Sequence, residues 1–484
     1  MPTIKNLEPH ALWNNFTLLN AIPRGSKKEE RVIEFVKNFG ESLGLKTIVD
    51  EVGNVIIKKP ASPGMENKTT VVLQSHLDMV HQKNAATDFD FDTQGIEMYV
   101  DGDWVRAKGT TLGSDNGIGV AAIMSILESK NIPHPPLEAL FTIDEETGMT
   151  GAMGLKGGLL DAKIMLNLDT EDDDELTIGC AGGIDVSISG SYPSKKYKSP
   201  RKGWKITVKG LTGGHSGMDI HRGRGNANKL LNRFLKAASK HLGVRIHSLD
   251  GGGLRNAIPR EATAIVTVST KNEMALYDFI AKYADIFQKE HHTTDPNLQL
   301  TLSTAGVVTS VLKKSFQRKL LRAIYACPNG IYRMSPDIEG LVQTSNNLAR
   351  ILVKDAKYQF FCLTRGSVDT EKMDLAQAIT CTFKLMGAEV LYSGGYPGWI
   401  PKPEAPIVSL MSNLYREMFE GEPKVNACHA GLECGILGTN YPEMEMISFG
   451  PNIRGAHSPD EKVQISSVQK FWKFLLKTLE TIDN

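Results

Sequence analysis

Five stretches of this chain place residues able to bind metal or carry protons where apolar segments begin or end. Val71-Val-Leu-Gln-Ser-His-Leu-Asp-Met-Val80 starts as a buried strand and ends with His76 and Asp78 two residues apart, hence on one face of an extended chain. The strand-like Leu137–Ile143 runs into Asp144-Glu-Glu-Thr-Gly148, and adjacent carboxylates are costly to hold together unless something positive compensates them. Lys163–Leu168 reads as a further strand and stops at Asp169, and Met444–Phe449 as another, leading into the loop that carries His457. Asp115 lies in the glycine-rich Gly109–Gly119, just before the helical run Val120–Leu127, where an acid is also explained as a cap on exposed N–H groups. That loop lacks the Gly-x4-Gly-Lys-[Ser/Thr] spacing of a phosphate cradle, so no nucleotide site is read from it. A lone His-x-Asp pair says little. Five such placements share a geometry, because open α/β sheets bind ligands in the crevice outside the carboxyl ends of their strands.

Two histidines with three carboxylates and no thiolate make a borderline-to-hard ligand set, suited to zinc, with cobalt or manganese as substitutes. The cysteines Cys180, Cys327, Cys362, Cys381, Cys428 and Cys434 show no Cys-x-x-Cys spacing and read as reduced thiols. Two divalent ions roughly 3.5 to 4 Å apart need one carboxylate able to bridge them and further ligands for each, which this inventory supplies. The Glu145-Glu146 doublet then has a purpose: one binds metal while its neighbour carries a proton. Bound zinc lowers the pKa of water from about 15.7 to about 7, and a positioned base adds roughly 10² to 10⁴ in rate.

The chain has ample material to position these groups. Its 484 residues are 41% hydrophobic and 23% charged, enough for two to four domains by length. Lys plus Arg and Asp plus Glu both number 55, so there is none of the basic excess that nucleic acid or anionic membrane selects, and the expected partner is a small molecule. The first residues lack the pattern of a secretory signal and no run of about 18 apolar residues occurs, so a soluble cytoplasmic protein is expected. Residues 11–47 have the periodicity of surface helix, and the acidic run Glu171–Asp174 reads as a solvated turn. From about Gly183 strands and long helices alternate differently, suggesting an α+β insertion with two similar halves, until Gly394-Gly-Tyr-Pro-Gly-Trp399 marks a boundary. The expected architecture is α/β, with residues 1–184 and 397–484 forming a catalytic domain of mixed sheet flanked by helices, and 185–396 a lid or substrate-binding domain.

His76-Leu-Asp78, Gly113-Ser-Asp-Asn-Gly117, Asp144-Glu-Glu-Thr-Gly148, Asn167-Leu-Asp169 and Gly455-Ala-His457 resemble the motifs of the M20 co-catalytic zinc peptidases. Cys180-Ala-Gly-Gly-Ile-Asp185, Gly213-Gly-His-Ser-Gly217, Arg255–Ala262, His429-Ala-Gly-Leu-Glu-Cys-Gly435 and His457-Ser-Pro-Asp-Glu461 are similar to the bacterial cytosolic aminoacyl-histidine dipeptidase group within it. The resemblance covers nearly the whole chain. It implies two zinc ions bridged by Asp115, with His76 and Asp169 on one and Glu146 and His457 on the other, Glu145 as general base and Asp78 orienting His76. It further implies that His215 stabilises the oxyanion and that Asn256 and Arg365 contact substrate, an Arg fork suiting a free carboxylate. The family usually has Arg-Ser where this chain has Arg365-Gly366, which weakens the case for Arg365. The implied reaction is hydrolysis of dipeptides, preferentially Xaa-His and including β-alanyl-histidine, by hydroxide on two zinc ions. An N-acyl amino acid deacylase, a tripeptide aminopeptidase and a non-catalytic protein of the same fold are the alternatives. A homodimer is compatible with the resemblance, and the sequence assigns His215 neither to its own subunit's site nor to a partner's.

Overall fold

A computed structural model describes residues 4–483. Two compact units are present: the first runs to Gly179 and resumes over Trp399–Ala427 and from Leu432, and the second comprises Cys180–Gly398 and Cys428–Gly431. The divisions at 179/180 and 398/399 fall a few residues from the expected 184/185 and 396/397. Residues 428–431 lie in the second unit, where the Ala181 N–H donates to the carbonyls of Cys428 (3.1 Å) and Ala430 (2.9 Å).

The first unit is built on an eight-stranded sheet whose spatial order is 46–49, 55–59, 137–142, 71–76, 164–167, 445–448, 175–180 and 424–428. Val71–His76 is flanked in parallel by Leu137–Thr142 and Ile164–Asn167, and the latter pairs in parallel with Glu445–Ser448. All six residues of Val71–His76 are buried, as the unbroken apolar run of a parallel strand covered on both faces requires. Parallel pairing sends the carboxyl ends of these four strands out at one edge. Along one face the Ser114–Glu128 helix is buried over almost its whole length and packs on the His10–Asn20 helix. A smaller sheet of 453–454, 462–464, 104–107 and 98–101 holds residues 455–461 as the loop of a hairpin.

The stretch with the periodicity of surface helix, 11–47, holds two helices, His10–Asn20 and Glu30–Ser42, followed by the strand Lys46–Val49. Pro23 and Gly25 interrupt the helical pattern, and Arg24 between them is fully buried.

In the second unit one sheet follows the path 299–312, 194–209, 262–267, 245–252, 342–354, 357–366, 182–191 and 389–396, with Gly330–Met334 added beside Val342–Lys354. The antiparallel pairing of Arg245–Gly252 with Val342–Lys354 joins a group of four strands to a group of five, the latter including Gly330–Met334. The helices Ala227–His241 and Glu273–His291 lie on the first group and Asp369–Lys384 on the second, around one apolar core that includes Trp204, Phe234, Phe287, Phe360 and Phe383. Among the described residues no helix is long and apolar enough to cross a membrane.

Candidate metal centre

The parallel strands of the first unit deliver their polar residues to a common place. His76 ends its strand, the turn after Leu137–Thr142 presents Glu145 and Glu146, and Asp169 follows Ile164–Asn167 by two residues. Asp115 enters from the first turn of the Ser114–Glu128 helix, where its φ of −84° and ψ of 109° break the helical path. His457 comes from the 455–461 hairpin loop with φ 62°, a left-handed conformation that costs a non-glycine residue on the order of 1 kcal/mol or more.

These side chains form three groups whose ligand atoms lie within 4.8 Å of one another: His76 with Asp115 and Asp169, Asp115 with Glu146 and His457, and His76 with Glu145 and Glu146. Asp115 spans the first two. One of its oxygens is 3.1 Å from His76 Nε2 and the other 3.1 Å from His457 Nε2. His76 Nε2 is also 3.5 Å from Asp169, and His457 Nε2 is 2.8 Å from Glu146 Oε2. The other face of the His76 ring, Nδ1, lies 3.1 Å from the Asp78 carbonyl and 3.3 Å from its carboxylate. That carboxylate is itself held by the N–H groups of Glu145 (3.0 Å) and Glu146 (3.2 Å) and by the Ser26 hydroxyl (2.8 Å).

Negative charge is in excess here. Hydrogen bonds donated to Asp115 and Glu146 push His457 up to about 11, and although burial pulls His76 down, Asp169 and Asp115 outweigh it so that the imidazole is raised. Burial lifts Glu145 well above the usual carboxylate range, with His76 opposing and Asp169 and Glu146 adding to the rise. Burial, reinforced by Asp115 and Asp169, lifts Glu171 to about 8. Glu171 is therefore a half-buried member of this surrounding rather than part of a solvated turn. Glu146 Oε1 is buried with no hydrogen-bond partner. Surplus carboxylates around two imidazoles, together with an orphaned buried oxygen, are the surroundings a bound divalent cation neutralises and completes. The donors are all oxygen and imidazole, which fits metals of the zinc, cobalt and manganese type.

Of the other expected residues, His215 and Arg365 meet through their side chains within the second unit, whereas Asn256 adjoins the His215 loop through its backbone. Arg365 Nη2 lies 3.4 Å from His215 Nε2, and its Nη1 donates to the Tyr396 hydroxyl at 2.9 Å. His215 Nδ1 accepts from the N–H groups of Gly217 (3.3 Å) and Met218 (3.0 Å), fixing the ring. Asn256 is exposed and contributes its backbone carbonyl to the Ser216 N–H.

Residues 72–481 match the family described as "Peptidase family M20/M25/M40". The chain belongs to that family. Among M20 relatives it is similar to the cytosol non-specific dipeptidase of Escherichia coli (strain K12), 41% identical over 482 residues that cover 100% of this chain and 99% of the relative. Its fold matches the crystal structure of the aminoacylhistidine dipeptidase from Vibrio alginolyticus with a TM-score of 0.92 and 42% identity, covering 100% of this chain and 99% of that one. The aminopeptidase PepT from Bacillus cereus, 15% identical with a TM-score of 0.57 over 98% of this chain, shares the fold alone. The M20 chain is thus a peptidase whose family implies metal ions.

Several polar residues around the centre carry no role in the sequence reading. Glu433 is fully buried; one carboxylate oxygen accepts from Gln74 (2.7 Å) and Thr142 (2.6 Å), and burial, opposed by the Thr142 bond, pushes it up to about 7. Glu461 is 2% exposed and receives backbone amides of the Asp115 turn. Both stand in motifs that carry the family resemblance, yet nothing in their spacing marks them as buried. Arg24 carries no such signal.

Proposed function

We propose that this M20 chain hydrolyses dipeptides, with preference for Xaa-His including β-alanyl-histidine, at two divalent ions of which zinc is the native choice. The observation that supports a two-ion site is Asp115, whose two oxygens face two separate histidine-bearing groups. His76 and Asp169 would hold one ion and Glu146 and His457 the other, with Asp115 available to both through its two oxygens. Ions bound there supply Lewis acidity, polarising the scissile carbonyl and making water acidic enough to attack near neutral pH. Glu145 takes the proton from the attacking water and returns it to the leaving amine, while its neighbour Glu146 is engaged by His457. Asp78 keeps the His76 ring oriented through Nδ1.

The second unit, Cys180–Gly398 with Cys428–Gly431, is assigned substrate binding. Arg365 takes the free carboxylate of the dipeptide and His215 donates to the developing oxyanion. The preference for Xaa-His rests on the likeness to the aminoacylhistidine dipeptidase, and a cytosolic location on the likeness to the cytosol dipeptidase. The test strips metal with a chelator, restores zinc or cobalt, and compares Ala-His, β-Ala-His, a tripeptide and an N-acetyl amino acid. Metal-dependent cleavage of the two dipeptides is expected. Cleavage confined to the tripeptide or the acetylated amino acid overturns the substrate assignment.

A further inference from the structure

The glycines around Asp115 have a cause that the ligand set leaves unexplained. Gly113 has φ 70°, and a Cβ there would lie 2.5 Å from Arg24 Nη2 and 2.8 Å from Met79 Sδ; a Cβ at Gly117 would lie 2.7 Å from the same Nη2. A buried guanidinium occupies the space. Its Nη2 donates to the Gly113 carbonyl at 2.6 Å and to Asn20 Oδ1 at 3.1 Å, and its Nη1 to the carbonyls of Leu77 (2.9 Å) and Asp78 (3.2 Å). The amides of the same turn are taken by Glu461, which accepts from the N–H groups of Leu112 (2.7 Å), Gly113 (3.0 Å), Ser114 (2.8 Å) and Asp115 (3.3 Å) and from the Ser114 hydroxyl (2.6 Å).

We propose that Arg24 and Glu461 are positioning residues for the metal centre, clamping the Leu112–Asp115 turn through its carbonyl and its amides so that Asp115 presents one oxygen to His76 and the other to His457. Three segments share these two anchors. Arg24 ties the end of the His76 strand to the Asp115 turn, and Glu461, four residues after His457, ties the hairpin loop to the same turn. A carboxylate with five donors is well satisfied in a buried place, and charge-assisted bonds of this kind are short and directional. A second acid beside Asp115 also adds repulsion, which the Arg24 charge offsets. The bonds of Arg24 and Glu461 go to the framework that presents Asp115, His76 and His457, so they act on the metal through those ligands.

This inference rests on Asp115 being a metal ligand, and the test separates the two. The full-length metal-free chain, its Glu461→Gln variant and its Arg24→Lys variant are titrated with Co²⁺, following heat and the visible absorption bands, with thermal unfolding of the metal-free proteins in parallel. Gln keeps the shape of Glu461 but turns an NH₂ toward donors; Lys keeps the charge of Arg24 but loses the fork that reaches four carbonyl oxygens at once. Expected is a fall of about 10- to 100-fold in Co²⁺ affinity for at least one equivalent, with changed band shape, in a chain that still unfolds cooperatively. A lowered melting temperature with wild-type Co²⁺ affinity and spectrum in either folded variant would make the clamp a stability feature only and overturn the inference. If Glu461→Gln does not fold, Arg24→Lys decides by the same criterion. A wild-type chain that takes up no Co²⁺ sinks the ligand assignment and the clamp together.

Discussion

The two units treat the same side chain in opposite ways. In the first, His457 is bracketed by Asp115 and Glu146 and pushed up to about 11. In the second, His429 bonds through Nε2 to the Ser345 hydroxyl at 2.7 Å, and burial, helped by Arg365 and His215, pulls it down to about 3. One imidazole is surrounded by acceptors in surplus, while the other meets a hydroxyl in a buried place that Arg365 makes unfavourable for a second positive charge. The first environment favours a cationic ring and the second a neutral one.

The contrast is broken most sharply at Glu145. Glu145→Gln is expected to lower kcat by about 10² to 10⁴ while metal content, measured by elemental analysis, stays at the wild-type level. His457→Ala is expected to lose metal. An active Glu145→Gln enzyme, or a His457→Ala enzyme with its full metal complement, removes the distinction between proton carrier and ligand on which the first unit's reading depends.

A smaller effect sharpens the second unit. Arg365→Lys keeps the charge but not the fork, so the loss is set by hydrogen bonds to a charged group, about 1.5 to 3 kcal/mol in kcat/KM for a dipeptide. Metal content should not move. The loss should appear in KM and should vanish for a substrate whose carboxyl is amidated; an equal loss for both substrates contradicts carboxylate recognition.

The smallest expected effect is on stability with pH. His429 stays neutral in the fold down to about 3, whereas the unfolded chain takes up the proton near 6.5. The unfolded state therefore binds more protons between these values, and stability falls as pH drops through that window. Relative to His429→Gln, the wild-type chain should lose about 1.4 kcal/mol per pH unit below 6.5 and nothing above it. Urea unfolding of both proteins at pH 7.5 and pH 5 measures the difference, and parallel curves show that His429 is not buried as a neutral ring.

The residues most legible in the sequence sit directly at the ends of apolar runs. His76, Glu145, Glu146 and Asp169 follow strands whose hydrophobicity is continuous, and parallel pairing sends their ends to one side. The α/β class follows from the same periodicities. Arg24 is not legible because a buried arginine bonded mainly to backbone carbonyls leaves no period and no partner motif; its neighbours on either side look like surface helix. An acidic run reads as solvated by its composition, and only the fold half-buries Glu171 where Asp115 and Asp169 act on it. Tyr396 and His429 meet Arg365 and Ser345 across long stretches of chain, which local patterns do not encode.

The hairpin loop that carries His457 and Glu461 has a consequence for how the protein is made. These residues reach Asp115 across 342 and 346 positions of chain. At a synthesis rate of about 5 to 20 residues per second, roughly 20 to 70 s separate the emergence of Asp115 from that of its last partners. Throughout that interval the nascent chain holds His76, the carboxylates and Arg24 without the loop that completes them. The complete set of side chains that faces Asp115 therefore exists only after the hairpin loop has been made, so any ion that needs both His76 and His457 binds after nearly all of the inserted unit has been synthesised.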